Sequence, residues 1–201
     1  MKWSNANFLS IDKLAFDTKG VVVRGQITMS VHSAGILVYR YKNNDLQVLL
    51  VHPGGPFWSG KDLGAWSIPK GIFDESENPL EAAKREFREE TGFVVEGEFI
   101  ELGKLRQPSK KIIHAWSIED NFDLSQLKSN TFKLEWPRNS GNIQEYPEVD
   151  KGEWFSLDIA QKKIFKGQRE FLARLVNRLN VSTCNNYRLS PAEKSSATEE
   201  Y

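Results

Sequence analysis

Two apolar segments separated by a polar turn open the part of the chain that has a clear pattern. Residues 34–39 and 46–51 are rich in Val, Leu and Ile, and Lys-Asn-Asn-Asp at 42–45 lies between them. Asn and Asp tolerate the backbone angles of tight turns, so this segment predicts two paired strands. A Gly- and Pro-rich loop is expected at 52–60, and a short strand at 65–69 that ends at its proline.

A helix is predicted over residues 79–91, because both of its ends carry recognisable signals. Asn78 is a favoured N-cap residue, Pro79 fits the first turn, and Glu81 is the acid expected at the third position. Gly92 can adopt the left-handed conformation that ends a helix. These signals are local, so they predict the two ends of the helix as well as its existence.

The rest of the chain mixes strands and helices. Strands are expected at 98–107, at 111–118 and near 153–156. Helices are expected at 157–163 and 167–179, and the second of these carries apolar residues at helical spacing. Together with the elements above, this pattern predicts an α+β fold in the form of a mixed α/β/α sandwich.

The two ends of the chain carry weaker patterns. Residues 21–28 alternate like a strand, whose place in the fold the sequence leaves open. Met29 stands just before the first strong strand, so an extended start site would account for residues 1–28. We expect an N-terminal extension at 1–30, a main domain at 31–180 and a disordered tail at 181–201, because the end of the chain is small, polar and acidic.

Composition narrows the classes of function. The chain has 201 residues, with 27 Lys and Arg against 27 Asp and Glu, so it has no net charge to attract a polyanion in general. No apolar run reaches the roughly 18–20 residues of a membrane span, and the start lacks the apolar core of a signal peptide. A single cysteine, Cys184, excludes an internal disulfide. These features predict a cytoplasmic protein without membrane or general nucleic-acid binding.

Three acids form one stripe on the predicted helix. Glu86, Glu89 and Glu90 stand at i, i+3 and i+4, where like charges repel each other and the helix dipole also disfavours acids. A solvated charged face is the simpler interpretation, since Arg85 can pair with Glu81 and Glu89. It leaves Glu86 and Glu90 without helical partners beside the apolar stripe. The alternative is a site for Mg²⁺ or Mn²⁺, which prefer such hard oxygen ligands.

The stretch from Gly71 to Phe93 resembles the Nudix box. That pattern runs Gly, five residues, Glu, seven residues, Arg-Glu-hydrophobic, any residue, Glu-Glu, any residue, Gly-hydrophobic. Both hydrophobic positions hold Phe, where aliphatic residues are commoner. The resemblance extends from about residue 33 to about 175 and is strongest to MutT-like nucleotide pyrophosphohydrolases near the dinucleoside-polyphosphate branch. The matching polar and glycine positions are Gly71, Glu77, Arg85, Glu86, Glu89, Glu90 and Gly92.

The resemblance implies a fold and a set of roles. Members of this family fold as a mixed sheet between helices and hydrolyse a nucleoside diphosphate linked to another moiety. It implies that the three acids of the stripe bind Mg²⁺, or alternatively Mn²⁺. Arg85 would pair with Glu77 or a neighbouring acid, and Gly71 would give the backbone room at the loop entrance. Glu89 is the first candidate for the general base, and Glu148, from another loop, is the second.

Substrate contacts can be suggested at a few positions. Lys70 precedes the box in a Pro-Lys-Gly form that occurs in relatives acting on dinucleoside polyphosphates and inositol pyrophosphates, although a solvated lysine is the plain alternative. Trp66, with Phe57 and Trp58, could stack on a base, against core packing as the alternative. His114 alternates along a predicted strand and could face the cleft, or serve as a hydrogen-bonded structural residue.

The leading hypothesis is a Mg²⁺-dependent hydrolase that cleaves a phosphoanhydride bond, with a dinucleoside polyphosphate as the favoured substrate. Hydrolysis of nucleoside triphosphates or of an RNA 5′ triphosphate is the alternative within the same class. A catalytically silent nucleotide-binding module is the alternative from a different class. The loop at 136–141 is a candidate for closing over a substrate.

Overall fold

The computed structural model describes the backbone at residues 14–16, 22–24, 31–74 and 76–188, and side chains at 31–74 and 76–180. Strands β1 (Leu14–Phe16) and β2 (Val22–Arg24) form an antiparallel pair, and β2 overlaps the strand predicted at 21–28. The rest of the predicted N-terminal extension lies outside the described residues, as does the predicted tail beyond Arg188.

Eight further strands and three helices form the body of the described chain. The strands are β3 (His32–Lys42), β4 (Asp45–Pro53), β5 (Lys70–Ile72), β6 (Ile100–Arg106), β7 (Ile112–Glu119), β8 (Thr131–Glu135), β9 (Ile143–Pro147) and β10 (Val149–Ser156). The helices are α1 (Pro79–Thr91), α2 (Leu157–Lys163) and α3 (Arg169–Arg188). The main sheet has the order β10-β4-β3-β7-β6, with β5 paired to β3, and β8 and β9 form a separate hairpin.

Strands β3 and β4 diverge beyond their turn, so the main sheet has a gap between them. Strands β3 and β4 pair only near their turn, between Tyr39 and Asp45. Farther along, Ser67 bridges to Val51 of β4, and β5 then pairs with the start of β3. The segment 67–72 therefore fills the gap between two diverging strands, and this places Lys70 and Gly71 at the centre of the sheet.

Helices cover both faces of the sheet. On one face, Phe87 of α1 packs in a cluster with Ile36 of β3. On the other face, Leu37 of β3 lies in a cluster with Phe171 and Leu175 of α3. Because successive residues of a strand point to opposite faces, β3 contributes to both cores. The predicted mixed α/β/α sandwich is confirmed.

Helix α1 spans the residues that the sequence predicts. The side chain of Asn78 accepts hydrogen bonds from the backbone N–H groups of Leu80 and Glu81, and Gly92 ends the helix with a φ of 78°. Of the acids on the predicted stripe, Glu86 and Glu90 are buried, with 6% and 3% of their surface exposed. The two acids that the sequence leaves without helical partners beside the apolar stripe are therefore the ones that the fold buries.

Replacing Asn78 by Ala is expected to lower the free energy of unfolding by about 1 kcal/mol, the usual cost of losing an N-cap side chain. The measurement is chemical denaturation of the wild type and the Asn78→Ala variant. Asn78→Asp is the control, because a carboxylate accepts the same two hydrogen bonds and should retain most of the stability. Equal stability of all three proteins would contradict the capping role.

Three sequence expectations need correction, and one element was missed. The strand expected at 65–69 forms only isolated bridges, because the segment crosses from β4 to β3 and Pro69 lacks an N–H group. Strand β4 continues to Pro53, into the predicted loop at 52–60, because β10 pairs with it there. The hairpin of β8 and β9 was not expected, and its strands have no buried residues. Helix α3 runs to Arg188, past the expected domain end, because an established helix propagates without an apolar stripe.

Candidate active site

The carboxyl group of Glu86 lies directly against the backbone of Gly71. A Cβ atom added at residue 71 would overlap this carboxyl group, so a side chain at 71 and the present position of Glu86 exclude each other. Gly71 is held in place because β5 pairs with Ala34 of β3. The glycine therefore brings the buried acid of helix α1 onto the central strands of the sheet.

Arg85 ties the loop before the helix to the helix itself. Its Nε and Nη2 donate hydrogen bonds to the two carboxylate oxygens of Glu77, each at 3.1 Å. Its Nη1 donates to Glu86 at 2.7 Å and more weakly to Glu89 at 3.4 Å. The hydrogen bonds to Glu77 are the main cause that raises the pKa of Arg85. The pairing of Arg85 with Glu77 agrees with what the resemblance implies.

Burial places opposite charges of the site in a poorly solvated environment. The carboxylate of Glu90 accepts a hydrogen bond from the backbone N–H of Lys70 at 2.9 Å. Burial raises the pKa of Glu90 to about 7, and it also raises the pKa of Glu86, against the opposing hydrogen bond from Arg85. Burial lowers the pKa of Lys70, although Glu90 and Glu86 favour its charged form. Such strongly shifted groups are typical of functional sites.

A cavity of about 460 Å³ opens beside these groups. Charged residues from five separate parts of the chain line it, namely Lys70, Glu90, Lys111, Glu148 and Lys166. The segment from Gln107 to Ser109 forms one wall, and Phe165 to Gln168 forms another. The volume is within the usual range of a small-molecule site, and the paired lysines suit an anionic ligand. The acid stripe therefore ends at a cleft with polar and cationic walls.

Lys111 gives a prediction about stability and pH. Burial, with Lys70 second, lowers the pKa of Lys111 from 10.5 to about 8. Between about pH 8 and 10.5, the unfolded chain therefore binds more protons than the folded protein. The charged form of Lys111 lowers the free energy of unfolding by its full amount below pH 8, and this loss of stability disappears as the pH rises to 10.5. We expect Lys111→Met to increase the free energy of unfolding at pH 7 by about 2 kcal/mol, after a discount for solvent screening.

The measurement for Lys111 is urea denaturation of both proteins at pH 7 and at pH 10. The gain in stability should shrink towards zero at the higher pH. Lys110→Met, at the exposed neighbouring position, is the control and should change stability little at either pH. A gain that is independent of pH would contradict a charge effect at Lys111.

Trp66 and His114 do not lie where a substrate contact requires them. Trp66 is fully buried in the core, and its indole nitrogen donates to Asp62 at 2.9 Å, so it has no free ring face for a base. His114 is hydrogen bonded to His32 at 3.0 Å, and burial lowers its pKa to about 4. Its neighbour Ile113 faces the cavity, and alternation along β7 puts His114 on the opposite face. The burial and hydrogen bonds of the two residues favour the alternatives that the sequence left open, core packing for Trp66 and a structural role for His114.

The three acids of the stripe do not form a complete metal shell. Across the described side chains, no group of three or more His, Cys, Asp and Glu residues converges around a common point. Arg85 contacts Glu86 and Glu89 instead. The donor chemistry still suits a divalent cation, because two of the carboxylates are buried and a bound cation would offset their desolvated charge. Arg85 contacts only one oxygen of Glu86 and one of Glu89, so the second oxygen of each carboxylate could bind a cation while these hydrogen bonds persist.

Several lining residues were not expected from the sequence. Lys111, Gln107 and the segment from Phe165 to Gln168 reach the cavity through the parallel pairing of β3 with β7 and the packing of α3. None of these residues belongs to a motif, and no local signal in the sequence could have identified them as lining the cavity. Glu148 and Lys70, in contrast, were candidates and do line the cavity.

Comparison with known proteins identifies the family. The model of the NUDIX domain matches residues 29–175, so this chain belongs to the Nudix family. Nudix hydrolase 6 of Arabidopsis thaliana is 31% identical over 104 residues, which cover 51% of this chain and 34% of that protein. The asymmetrical bis(5'-nucleosyl)-tetraphosphatase of Mus musculus is 29% identical over 103 residues, covering 45% of this chain and 66% of that protein. The matches thus span a third to about two thirds of these relatives.

Solved structures show the same fold. An Ap4A hydrolase of C. elegans in a binary complex has a TM-score of 0.51 at 22% identity, over 75% of this chain and 98% of that one. The NUDIX domain of Shewanella oneidensis NrtR, complexed with ADP ribose, has a TM-score of 0.52 at 18% identity, over 82% of this chain and 94% of that one. Within the described part of the chain, no helix is long and apolar enough to cross a membrane.

Proposed function

We propose that this protein is a Mg²⁺-dependent hydrolase that cleaves a phosphoanhydride bond in a nucleoside diphosphate-linked substrate, with a dinucleoside polyphosphate as the preferred class. The observation that carries the proposal is the cavity in which Glu90 and Glu148 lie with Lys70 and Lys111. A site that binds a polyphosphate together with a divalent cation uses acids as ligands of the cation and lysines as partners of the phosphate oxygens. The resemblance to proteins named as Ap4A hydrolase and tetraphosphatase supports this substrate class.

Glu86, Glu89 and Glu90 are the residues that would hold Mg²⁺, or Mn²⁺ in its place. A bound divalent cation supplies charge neutralisation of the phosphate oxygens and a lower pKa for a water molecule. Glu86 and Glu90 are fixed by Gly71 and by the backbone of Lys70, whereas Glu89 is half-buried and freer to reorient. Arg85 would keep its two hydrogen bonds to Glu77 and hold Glu86 and Glu89 through one carboxylate oxygen each, while the other oxygens bind the cation.

The remaining side chains position the substrate and accept a proton. Glu89 is the first candidate to take the proton of the attacking water, and Glu148, which lines the cavity from the corner between β9 and β10, is the second. The two lysines, Lys70 and Lys111, would bind phosphate oxygens as point charges. We assign this activity to the domain at 31–180 and propose that it acts in the cytoplasm.

Product analysis tests this proposal. The purified protein is incubated with Mg²⁺ and a panel of diadenosine polyphosphates, nucleoside triphosphates, a 5′-triphosphorylated RNA, ADP-ribose and an inositol pyrophosphate. We expect one diadenosine polyphosphate to have the highest kcat/KM. A preference for nucleoside triphosphates or for the RNA would contradict the proposed substrate class, while the proposed cleavage of a phosphoanhydride bond would stand. Binding of nucleotides without turnover, in Mg²⁺ and in Mn²⁺, would contradict the enzyme and favour a nucleotide-binding module.

A further inference from the structure

A second cavity lies between the loop that follows β4 and the hairpin of β8 and β9. Its volume is about 680 Å³, which is large enough for a nucleoside. The proposed function does not use this cavity, although Phe57 and Trp58, which the sequence suggested as stacking residues, line it. The loop at 136–141, also singled out in the sequence, is the turn of this hairpin. We call it the aromatic cavity, since its walls include Phe57, Trp58, Phe132 and Trp136, together with Lys133 and Arg138.

The aromatic side chains have ring surface that remains accessible. Phe57 has 56% of its surface exposed, and its ring meets that of Trp136 edge to face at 5.0 Å. Trp58, Phe132 and Trp136 are half-buried. Exposed aromatic rings gathered around one concave space form a platform on which a planar base can stack. Two cations, Lys133 and Arg138, and one acid, Glu135, also line the cavity, and Glu135 accepts a hydrogen bond from the backbone N–H of Gly141 at 2.7 Å. The two cations outnumber the acid and add affinity for a phosphate attached to that base.

Two glycines hold the loop tightly against the hairpin. The backbone N–H of Gly54 donates to the carbonyl of Glu148 at 2.9 Å, and a Cβ atom at residue 54 would overlap the carbonyl of Pro147. Gly55 has a φ of +87°, and a Cβ atom there would lie 3.0 Å from the ring of Phe132. The loop and the hairpin are therefore in direct contact at one edge of the aromatic cavity, and this contact fixes the position of one wall relative to the other.

The aromatic cavity adjoins the candidate active site. Pro53 lines the cavity of the active site, and the next residue, Gly54, lines the aromatic cavity. The ring of Trp58 also packs at 5.2 Å against the ring of Phe165, which lines the active site. The packed rings of Trp58 and Phe165 thus form the wall between the two cavities. Two adjoining cavities of this kind suit a ligand in which a polyphosphate chain joins two nucleosides.

We propose that the aromatic cavity binds the second nucleoside of a two-headed polyphosphate substrate, with its base stacked against the ring surface of Phe57 and Trp136 that faces the cavity and its outer phosphate near Lys133 and Arg138. This inference rests on the proposed function and adds the specificity site that would separate two-headed from one-headed substrates. A nucleoside triphosphate has no second base, so it gains nothing from this cavity.

The test compares diadenosine tetraphosphate with ATP in Trp136→Ala and in Phe57→Ala, which change opposite walls of the cavity. Each variant should lower the ratio of kcat/KM for diadenosine tetraphosphate to that for ATP by about tenfold, a typical loss for one stacked base. Tyr41→Ala is the matched control, since Tyr41 is equally exposed, at 54%, but lies by the turn at the opposite end of β4. An unchanged ratio in both variants would overturn the proposal.

A binding measurement separates this inference from the proposed function. In EDTA, calorimetry with diadenosine tetraphosphate and with ATP should show a tenfold loss of affinity for the first ligand in Trp136→Ala, relative to the second. If this loss appears while no substrate is hydrolysed, the aromatic cavity is supported and the hydrolase is contradicted. If substrates are hydrolysed and both ligands lose affinity equally, the hydrolase stands and the aromatic cavity is contradicted. Circular dichroism confirms that each variant is folded.

Discussion

Replacing Glu89 by Gln should lower kcat by about 10²- to 10⁴-fold, the range that a general base contributes, while the protein remains folded. Glu89 is half-buried on helix α1, and its carboxylate accepts a long hydrogen bond from Arg85 at 3.4 Å. The amide has the same shape as the carboxylate, so the helix loses no packing. It can neither accept the proton of an attacking water nor supply a charged ligand to a cation.

Glu81→Gln is the matched control for this prediction. Glu81 lies on the same helix, is exposed and pairs with Lys84 at 2.8 Å, away from the cavity. The steady-state kcat of this variant should stay close to the wild type, and thermal unfolding should show both variants folded. If Glu89→Gln retains wild-type turnover while Glu148→Gln loses it, Glu148 is the base and the role given to Glu89 is wrong.

Replacing Gly71 by Ala is expected to lower kcat by about 10²-fold with little loss of stability. The added Cβ atom would overlap the carboxyl group of Glu86, which is the flexible end of a side chain, so the carboxyl group moves and the backbone stays. Overpacking of this kind costs about 1 kcal/mol when the neighbour can shift. A misplacement of about 1 Å in a catalytic group is enough to lose 10²-fold in rate.

Gly64→Asn provides the comparison for this glycine. Gly64 has a φ of +67° and no atom within 4 Å of an added Cβ, and Asn tolerates this backbone conformation. The variant should keep its activity and most of its stability. Kinetics and urea denaturation are measured for both variants. A Gly71→Ala variant that is fully active, or one that is inactive only because it is unfolded, would contradict the proposed link between Gly71 and Glu86.

The sequence predicts the local parts of this molecule well and the long-range parts poorly. Helix α1 is predicted from Pro79 to Thr91, because its caps lie within the helix and its flanking residues. The pairing of Arg85 with Glu77 follows from the motif. The burial of Trp66 does not follow, because it depends on the packing of α2 and α3 against the sheet, far along the chain.

The candidate site shows the same limit. Lys111 enters the cavity because β7 pairs in parallel with β3, a contact between segments that share no local pattern. His52, for which the sequence shows no partner, bonds to Asp150 at 2.7 Å, since β10 pairs with the end of β4. The aromatic cavity requires a hairpin whose strands alternate without a buried face. The strands are only five residues each, so their alternation is a weak signal in the sequence.

The central claim is that hydrolysis of a polyphosphate depends on a divalent cation held by the acids of helix α1. The most direct measurement follows the hydrolysis of diadenosine tetraphosphate by the protein stripped of metal with EDTA, as Mg²⁺ is added back. The account predicts no turnover without metal and saturable recovery with Mg²⁺ that Glu86→Gln weakens. Turnover in EDTA, or the same Mg²⁺ dependence in Glu86→Gln, would contradict it.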